Sequence, residues 1–347
     1  MLTKRTILSA VLLMSVVSYA GINGLKEKLK AITGTNDVGI ALITCYGDTV
    51  SLNGSDTYDM ASVCKFFQAA AIASTTDYDE LTGTEITIDP AELEPNTWSP
   101  LRASAGKEKF RLSPAQLLDY SLMVSDNNAA DILSDRLCSP ARVDSILRAK
   151  DYPGEYRIAF TEKEMHADSL GAVNTCSPVA AAAAINRFFT ADTTASATLV
   201  KALMSRESPF GKERIIAGLV GKDAKVFHKT GTGFNSDNGT PAALNDLAFV
   251  SFKTEWGYSC YSLAVFVRNF GGSRAEGEKM IADISAAVWD AVIVNEVEMA
   301  NSLARVPANK VSRPTVTVRQ NTWKSLLGDM FECVVEEAFN HALGIDE

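Results

Sequence analysis

A serine and a lysine three residues apart, Ser62 and Lys65, interrupt an otherwise apolar stretch from Met60 to Ala73. Val63, Cys64, Phe66, Phe67, Ala69, Ala70, Ala71 and Ile72 make that stretch hydrophobic nearly all round, the pattern of a helix buried in a large domain. The spacing of three places Ser62 and Lys65 on one face. Packing gives no reason for a buried lysine beside a hydroxyl at a helix start, whereas nucleophilic catalysis does. An easily neutralised amine takes the hydroxyl proton, and the backbone N–H groups of the first turn hold a developing oxyanion.

Taken singly, the neighbouring motifs are weak. Ser-x-x-Lys recurs at Ser104-Ala-Gly-Lys107, in a charged stretch with no apolar helix behind it. Ser-Asp-Asn stands at a helix start in Ser125-Asp126-Asn127 and in a hairpin-like turn at Ser236-Asp237-Asn238. Ser125 and Asn127 are also candidate helix caps. Lys-Thr-Gly occurs once, at Lys229-Thr230-Gly231, ending a strand-like run, where Gly231 admits close backbone approach. Rival chemistries lack parts: His166, His228 and His341 are scattered, without metal-ligand spacing, and no Gly-x-Ser-x-Gly elbow supports a Ser-His-Asp triad. No metal or cofactor is expected.

The order Ser62/Lys65, Ser125/Asn127, Lys229/Thr230/Gly231 resembles the serine β-lactamase and penicillin-binding family. Between the second and third motifs, Glu162-Lys-Glu164-Met-His166-Ala-Asp168 resembles the Glu-x-Glu-Leu-Asn of class A β-lactamases, with Met165 for leucine and His166 for asparagine. That loop, with Asn96-Thr97-Trp98, Asn245-Asp246 and Leu263-Ala-Val-Phe-Val-Arg268, is similar to the PER- and CfxA-type branch. The resemblance covers about residues 22–297.

It implies an acyl-enzyme hydrolase of β-lactams, cephalosporins foremost. Ser62 would be the nucleophile, with Lys65, or Glu162 through a water, as its base. Facing Lys229 would favour the neutral amine of Lys65. Ser125 would pass the proton to the departing ring nitrogen, and Glu162 would activate the deacylating water. Glu164 is an equal candidate on chemistry alone; the motif register prefers Glu162. Lys229 and Thr230 would hold the antibiotic's carboxylate, Asn127 its side-chain amide, and the N–H groups of Ser62 and Thr232 the oxyanion. Trp98 would stand at the cleft rim and His166 would pack in the loop. Asn174 would replace the missing asparagine in holding water. The alternatives are a penicillin-binding D,D-peptidase and a non-catalytic lactamase-like binding protein.

The elements that must position these groups follow from pattern. A helix is expected over Ile22 to Ile32, then strands at Val38 to Thr44 and Thr49 to Leu52 around the turn Tyr46-Gly47-Asp48. Residues 75–112 read as loop-rich and polar. Helices follow from Ser113-Pro114 through Leu122, from Asn127 to Leu137 and from Ser139 to Ala149, then a long surface loop from Asp151 to Pro178. Ala180 to Phe189 and Ala195 to Met204 are helical; Val226 to Lys229, Leu244 to Phe252 and Tyr258 to Val267 are strands; a long helix starts near Ala275 and ends near Val297. Strands at both ends and helices between predict an α+β fold: an antiparallel sheet, five-stranded by the resemblance, with terminal helices (sheet lobe 21–61 and 226–297) and an inserted all-helical lobe (62–225).

The chain has 347 residues, 46% hydrophobic and 22% charged, enough for a sizeable core. Residues 1–20 read as a signal peptide: Lys4 and Arg5, an apolar run from Ile7 to Val17 too short to span a bilayer, then Ser18-Tyr19-Ala20. Cleavage near Ala20 would give a periplasmic or secreted protein, and with Cys45 the first cysteine no lipid anchor is expected. A formal net charge of −9, more negative still without Lys4 and Arg5, argues against nucleic-acid binding. Of the six cysteines, Cys45 and Cys260 are expected on neighbouring strands, as a disulfide or as free thiols. Beyond Val297, Pro307 and Pro314 mark a linker. Trp323, Leu326, Leu327, Met330, Phe331, Val334 and Val335 then open an amphipathic helix expected to pack on its own domain or on a second copy, giving a monomer or homodimer.

Overall fold

In a computed structural model, residues 21–167, 173–233, 241–255 and 257–304 are described. The signal peptide expected at 1–20, the turn expected at Ser236-Asp237-Asn238 and the helix expected beyond Pro314 lie outside them. Five antiparallel strands form the main sheet, in the order Thr49–Leu52, Asp37–Thr44, Gly257–Arg268, Ala243–Thr254, Ala224–Thr232. Strands early and late in the described chain thus pair in the middle of the sheet, with Ile40 opposite Val265 and Leu42 opposite Leu263.

The central strands read as continuous hydrophobic runs because both faces are covered, each residue type alternating between two cores. Val38, Ile40, Leu42, Leu263, Val265 and Val267 pack with Leu25 and Leu29 of the helix Ile22–Thr33 and with Ile281, Ile284, Val288 and Val292 of the helix Arg274–Ala304. Ala41, Phe227, Leu247, Phe249, Ala264 and Phe266 face the other way, onto Phe66 and Phe67 of the helix Cys64–Ala73 and Phe188 and Phe189 of the helix Pro178–Ala191. Ile215 and Leu219 join the first of these cores. Helix starts follow their capping residues: Ser113 with Gln116 makes a capping box, and Ser177 and Thr194 each accept an N–H from the first turn.

Two segments read as loops contain short elements. Within 75–112 lie the helices Tyr78–Gly83 and Pro100–Ser104 and a ladder of Ile86–Ile88 with Phe110–Leu112. Within 151–178, Thr175–Cys176 pairs with both Tyr156–Arg157 and Tyr58–Asp59, and Glu162–Ala167 is helical. Such pieces are too short to show periodicity and are fixed by their contacts. The last helix runs past Val297 to Ala304. Cys45 does lie beside Cys260, its N–H donating to that residue's carbonyl at 3.0 Å, but the thiols are not joined. Cys45 Sγ instead meets Ser259 Oγ at 3.2 Å and donates to Glu296 Oε1 at 3.7 Å. Among the described residues, no helix is long and apolar enough to cross a membrane.

Candidate active site

Ser62 sits in a 3₁₀ turn, Ala61–Val63, that runs directly into the helix Cys64–Ala73. Three segments hold this turn. Asp59 Oδ1 accepts the N–H of Ala61, which has a φ of 43°; Asn174 O accepts that of Met60; Asn245 Nδ2 donates to the carbonyls of Asp59 and Met60 at 2.7 and 3.1 Å. The strand Ala224–Thr232 runs close alongside. A Cβ on Gly231 would stand 2.5 Å from Met60 O, so only glycine lets strand and turn approach.

Lys65, only 1% exposed, is the hub. Its Nζ lies 2.8 Å from Ser62 Oγ, 2.7 Å from Glu162 Oε1, 2.7 Å from Asn127 Oδ1 and 3.3 Å from Ser125 O. Lys229 Nζ approaches from the sheet, donating to Ser125 Oγ at 3.0 Å and to Thr230 O at 2.8 Å. Burial first, then the charge of Lys65, lowers the pKa of Lys229 to about 7. Ser125 therefore lies between two amines, in a left-handed backbone conformation with φ 56°. The cap of the helix Asn127–Arg136 is neither Ser125 nor Asn127 but Asp126, which accepts from Ala129 N, Leu101 N and Ser99 Oγ. Asn127 has both amide atoms engaged, the second donating to Thr97 Oγ1 at 2.7 Å.

Of the two loop carboxylates, Glu162 points inward and Glu164 outward. Glu164 accepts from Thr161 N and Oγ1 and caps its own short helix. Glu162 and Lys163 donate their backbone N–H groups to the two oxygens of Asp131 at 2.7 and 2.9 Å. Burial, with Glu162 nearby, raises the Asp131 carboxyl to about 7. The Cys64 thiol, raised to about 12 by burial, donates to Glu162 Oε1 at 3.9 Å. Two expectations for this loop are corrected. Met165 is the buried residue and His166 is exposed, because the turn of helix directs position 165 inward. The amide of Asn174 is committed to loop backbone, accepting from Ala159 and Phe160 N–H and donating to Phe160 O.

Trp98 is 54% exposed at the cleft edge, its indole N–H donating to Val124 O at 2.8 Å. His228 pairs with Asp246 at 3.0 Å, and Asp246 also accepts Ile215 N; Ser62 Oγ is held by Lys65 instead. Arg214 was not legible beforehand, since Gly211-Lys-Glu-Arg214 carries no spacing signal. Fully buried, it donates to Gly231 O, Asn245 O and Thr232 Oγ1 at 3.0, 2.6 and 2.6 Å and pairs with Glu278. It ties the end of the Lys229 strand, including Thr232, to the sheet.

Residues 24–292 match the model of the beta-lactamase enzyme family. The chain is 34% identical over 268 residues to a beta-lactamase of Phocaeicola vulgatus, covering 76% of this chain and 82% of that protein. It is 27% identical over 272 residues to the extended-spectrum beta-lactamase PER-1 of Pseudomonas aeruginosa, covering 76% and 86%. A solved class A beta-lactamase from Bacteroides cellulosilyticus superposes with a TM-score of 0.70 at 26% identity, over 77% of this chain and 96% of that one. With a nucleophile-type serine held by a buried lysine and a family match spanning most of its length, the chain belongs to the β-lactamase enzyme family, as a class A serine β-lactamase.

Proposed function

We propose that Ser62 opens β-lactams by forming an acyl-enzyme, which Glu162 then helps to hydrolyse. What carries this reading is the position of Lys65 Nζ, 2.8 Å from Ser62 Oγ and 2.7 Å from Glu162 Oε1. The antibiotic's carboxylate binds Lys229 and Thr230. Its lactam carbonyl lies in an oxyanion hole of the Ser62 and Thr232 N–H groups, which Arg214 steadies through Thr232. Ser62 Oγ attacks the carbonyl carbon as its proton leaves, either to Lys65, neutral after passing a proton to Glu162, or to Glu162 through a water. The C–N bond breaks and Ser125 gives the ring nitrogen a proton, which it regains from the amine of Lys229 or Lys65. Glu162 returns its proton to the amine left neutral, then takes one from water, whose oxygen attacks the ester, and passes it to the departing Ser62 Oγ. Cephalosporin preference rests on the PER- and CfxA-type motifs, and export to the periplasm or medium on residues 1–20.

The experiment is steady-state turnover of a chromogenic cephalosporin by the wild type and by Ser62→Ala. The wild type is expected to consume many equivalents, and Ser62→Ala to lose roughly 10⁴-fold or more in kcat. A wild type that stops after one equivalent would instead identify a D,D-peptidase, and a Ser62→Ala enzyme that retains turnover would exclude Ser62 as nucleophile.

A further inference from the structure

Two aromatic rings from separate segments meet at the mouth of the cleft. Trp98 comes from the loop before the helix Pro100–Ser104, and Phe210 from the segment after the helix Ala195–Met204. Their centroids are 5.5 Å apart and their planes 86° apart, an edge-to-face pair. Core packing does not account for it, because Trp98 is more exposed than buried and Phe210 is itself only half-buried.

Each ring is fastened beside a group of the site. The Trp98 indole is hydrogen-bonded to Val124, the residue before Ser125, and its carbonyl accepts the N–H of Asn127 at 3.0 Å. Phe210 donates its N–H to Ser208 Oγ at 3.1 Å, and Ser208 Oγ donates to Met123 O at 2.8 Å. At the next residue, Gly211, a φ of 81° turns the chain onto the Lys229 strand so closely that a Cβ there would stand 2.4 Å from Thr230 Cγ2. The pair thus bridges the two banks of the cleft, one ring rooted next to Ser125 and the other next to Thr230.

We infer that Phe210, paired with Trp98, is a specificity-determining residue that reads the substituent carried beside the antibiotic's carboxylate. The inference rests on the placement of that carboxylate on Lys229 and Thr230 proposed above. In a cephalosporin the carbon next to the carboxylate-bearing one carries the C3 substituent, so a carboxylate at Thr230 brings this group under the aromatic bridge. The C7 acyl chain is carried at the opposite end of the bicycle. Aromatic rings meet other rings favourably in edge-to-face or offset geometry, so the class favoured is a planar aryl or heteroaryl group at C3. A methyl group there is too small to touch both rings.

The test uses two cephalosporins with the same C7 chain, one with a C3 methyl and one with a C3 arylvinyl group, which ring opening does not expel. The ratio of their kcat/KM values is measured for the wild type, Phe210→Ala, Phe210→Leu and Phe210→Tyr. A ring contact of about 0.5–1.5 kcal/mol corresponds to a ratio lowered roughly 2- to 12-fold in Phe210→Ala. The loss is expected in KM for the arylvinyl compound, with kcat little changed. Phe210→Leu, which keeps apolar bulk without a ring, should move the same way, and Phe210→Tyr should restore the ratio. An unchanged ratio in both the Ala and Leu variants, or an equal fall for both compounds, overturns the inference while leaving the lactamase mechanism standing. A wild type that turns over neither compound removes that mechanism and the inference together.

Discussion

The Lys229 ammonium is buried, faces a second lysine and is the proposed seat of the substrate's carboxylate. Its pKa of about 7 makes the free enzyme's affinity for an anion depend on pH near neutrality. Below about 7 Lys229 is charged and binds the anion; as pH rises through that value the charge is lost. Because kcat/KM reports the free enzyme, it is expected to fall above about pH 7, approaching tenfold per pH unit, while kcat falls less because a bound anion favours the charged amine. Lys229→Arg keeps its charge beyond pH 12 or so, so its kcat/KM profile should lose this alkaline limb even if its maximum is lower. Parallel pH profiles of the two enzymes check this; an identical alkaline limb in both would assign it to another group. At this scale Ser62, Lys65, Ser125 and Lys229 could be picked out from residue type and order, and Glu162 only by its register in the resembled motif. Asp131 and Arg214 could not, because they act on backbone groups brought near only by the fold.

Among the elements, the 3₁₀ turn carrying Ser62 and the strand carrying Lys229 fit closely. Adding a methyl at Gly231 would place it 2.5 Å from Met60 O and 3.2 Å from Val63 N, both backbone atoms that cannot rotate away. Gly231→Ala must push the strand off the turn, and Asn245, which holds the turn's carbonyls from the next strand, resists that movement. Overpacking of this kind costs about 1–3 kcal/mol, and a displacement near 1 Å in an active site costs on the order of 10²-fold in rate. Gly231→Ala is therefore expected to lower kcat/KM by about that factor and to lower Tm, measured by kinetics and thermal unfolding. Activity within twofold of the wild type would show that the strand and turn are not held in this register. Long elements were legible from their patterns: the helix Ala195–Met204 has the bounds expected of it. Short ones were not. The pairing of Thr175–Cys176 with Tyr58–Asp59 joins residues remote in sequence, and two-residue strands leave no periodic trace.

For the molecule as a whole, the sheet is built from strands early and late in the described chain, and the intervening helices bring the proposed catalytic groups back to its edge. Ser62 comes from the start of one helix, Ser125 from a turn before another, Glu162 from a short helix pinned by Asp131, and Lys229 from the edge strand. Strand-rich ends and a helical middle made this layout readable, since each long run showed one period. The inward turn of Glu162 rather than Glu164 was not readable from chemistry, because both are carboxylates on a polar loop; Thr161 and Asp131 decide it by holding the loop's backbone and the rival side chain. The proposed division of labour, Ser62 acylated and Glu162 needed to release it, is tested most directly by intact-protein mass spectrometry of Glu162→Gln after brief exposure to a cephalosporin. A glutamine cannot take a proton from water, so the variant is expected to retain drug-derived mass on Ser62 while the wild type returns to its free mass within the same interval. Free mass and rapid turnover in Glu162→Gln, with retained adduct in Glu164→Gln, would contradict the assignment.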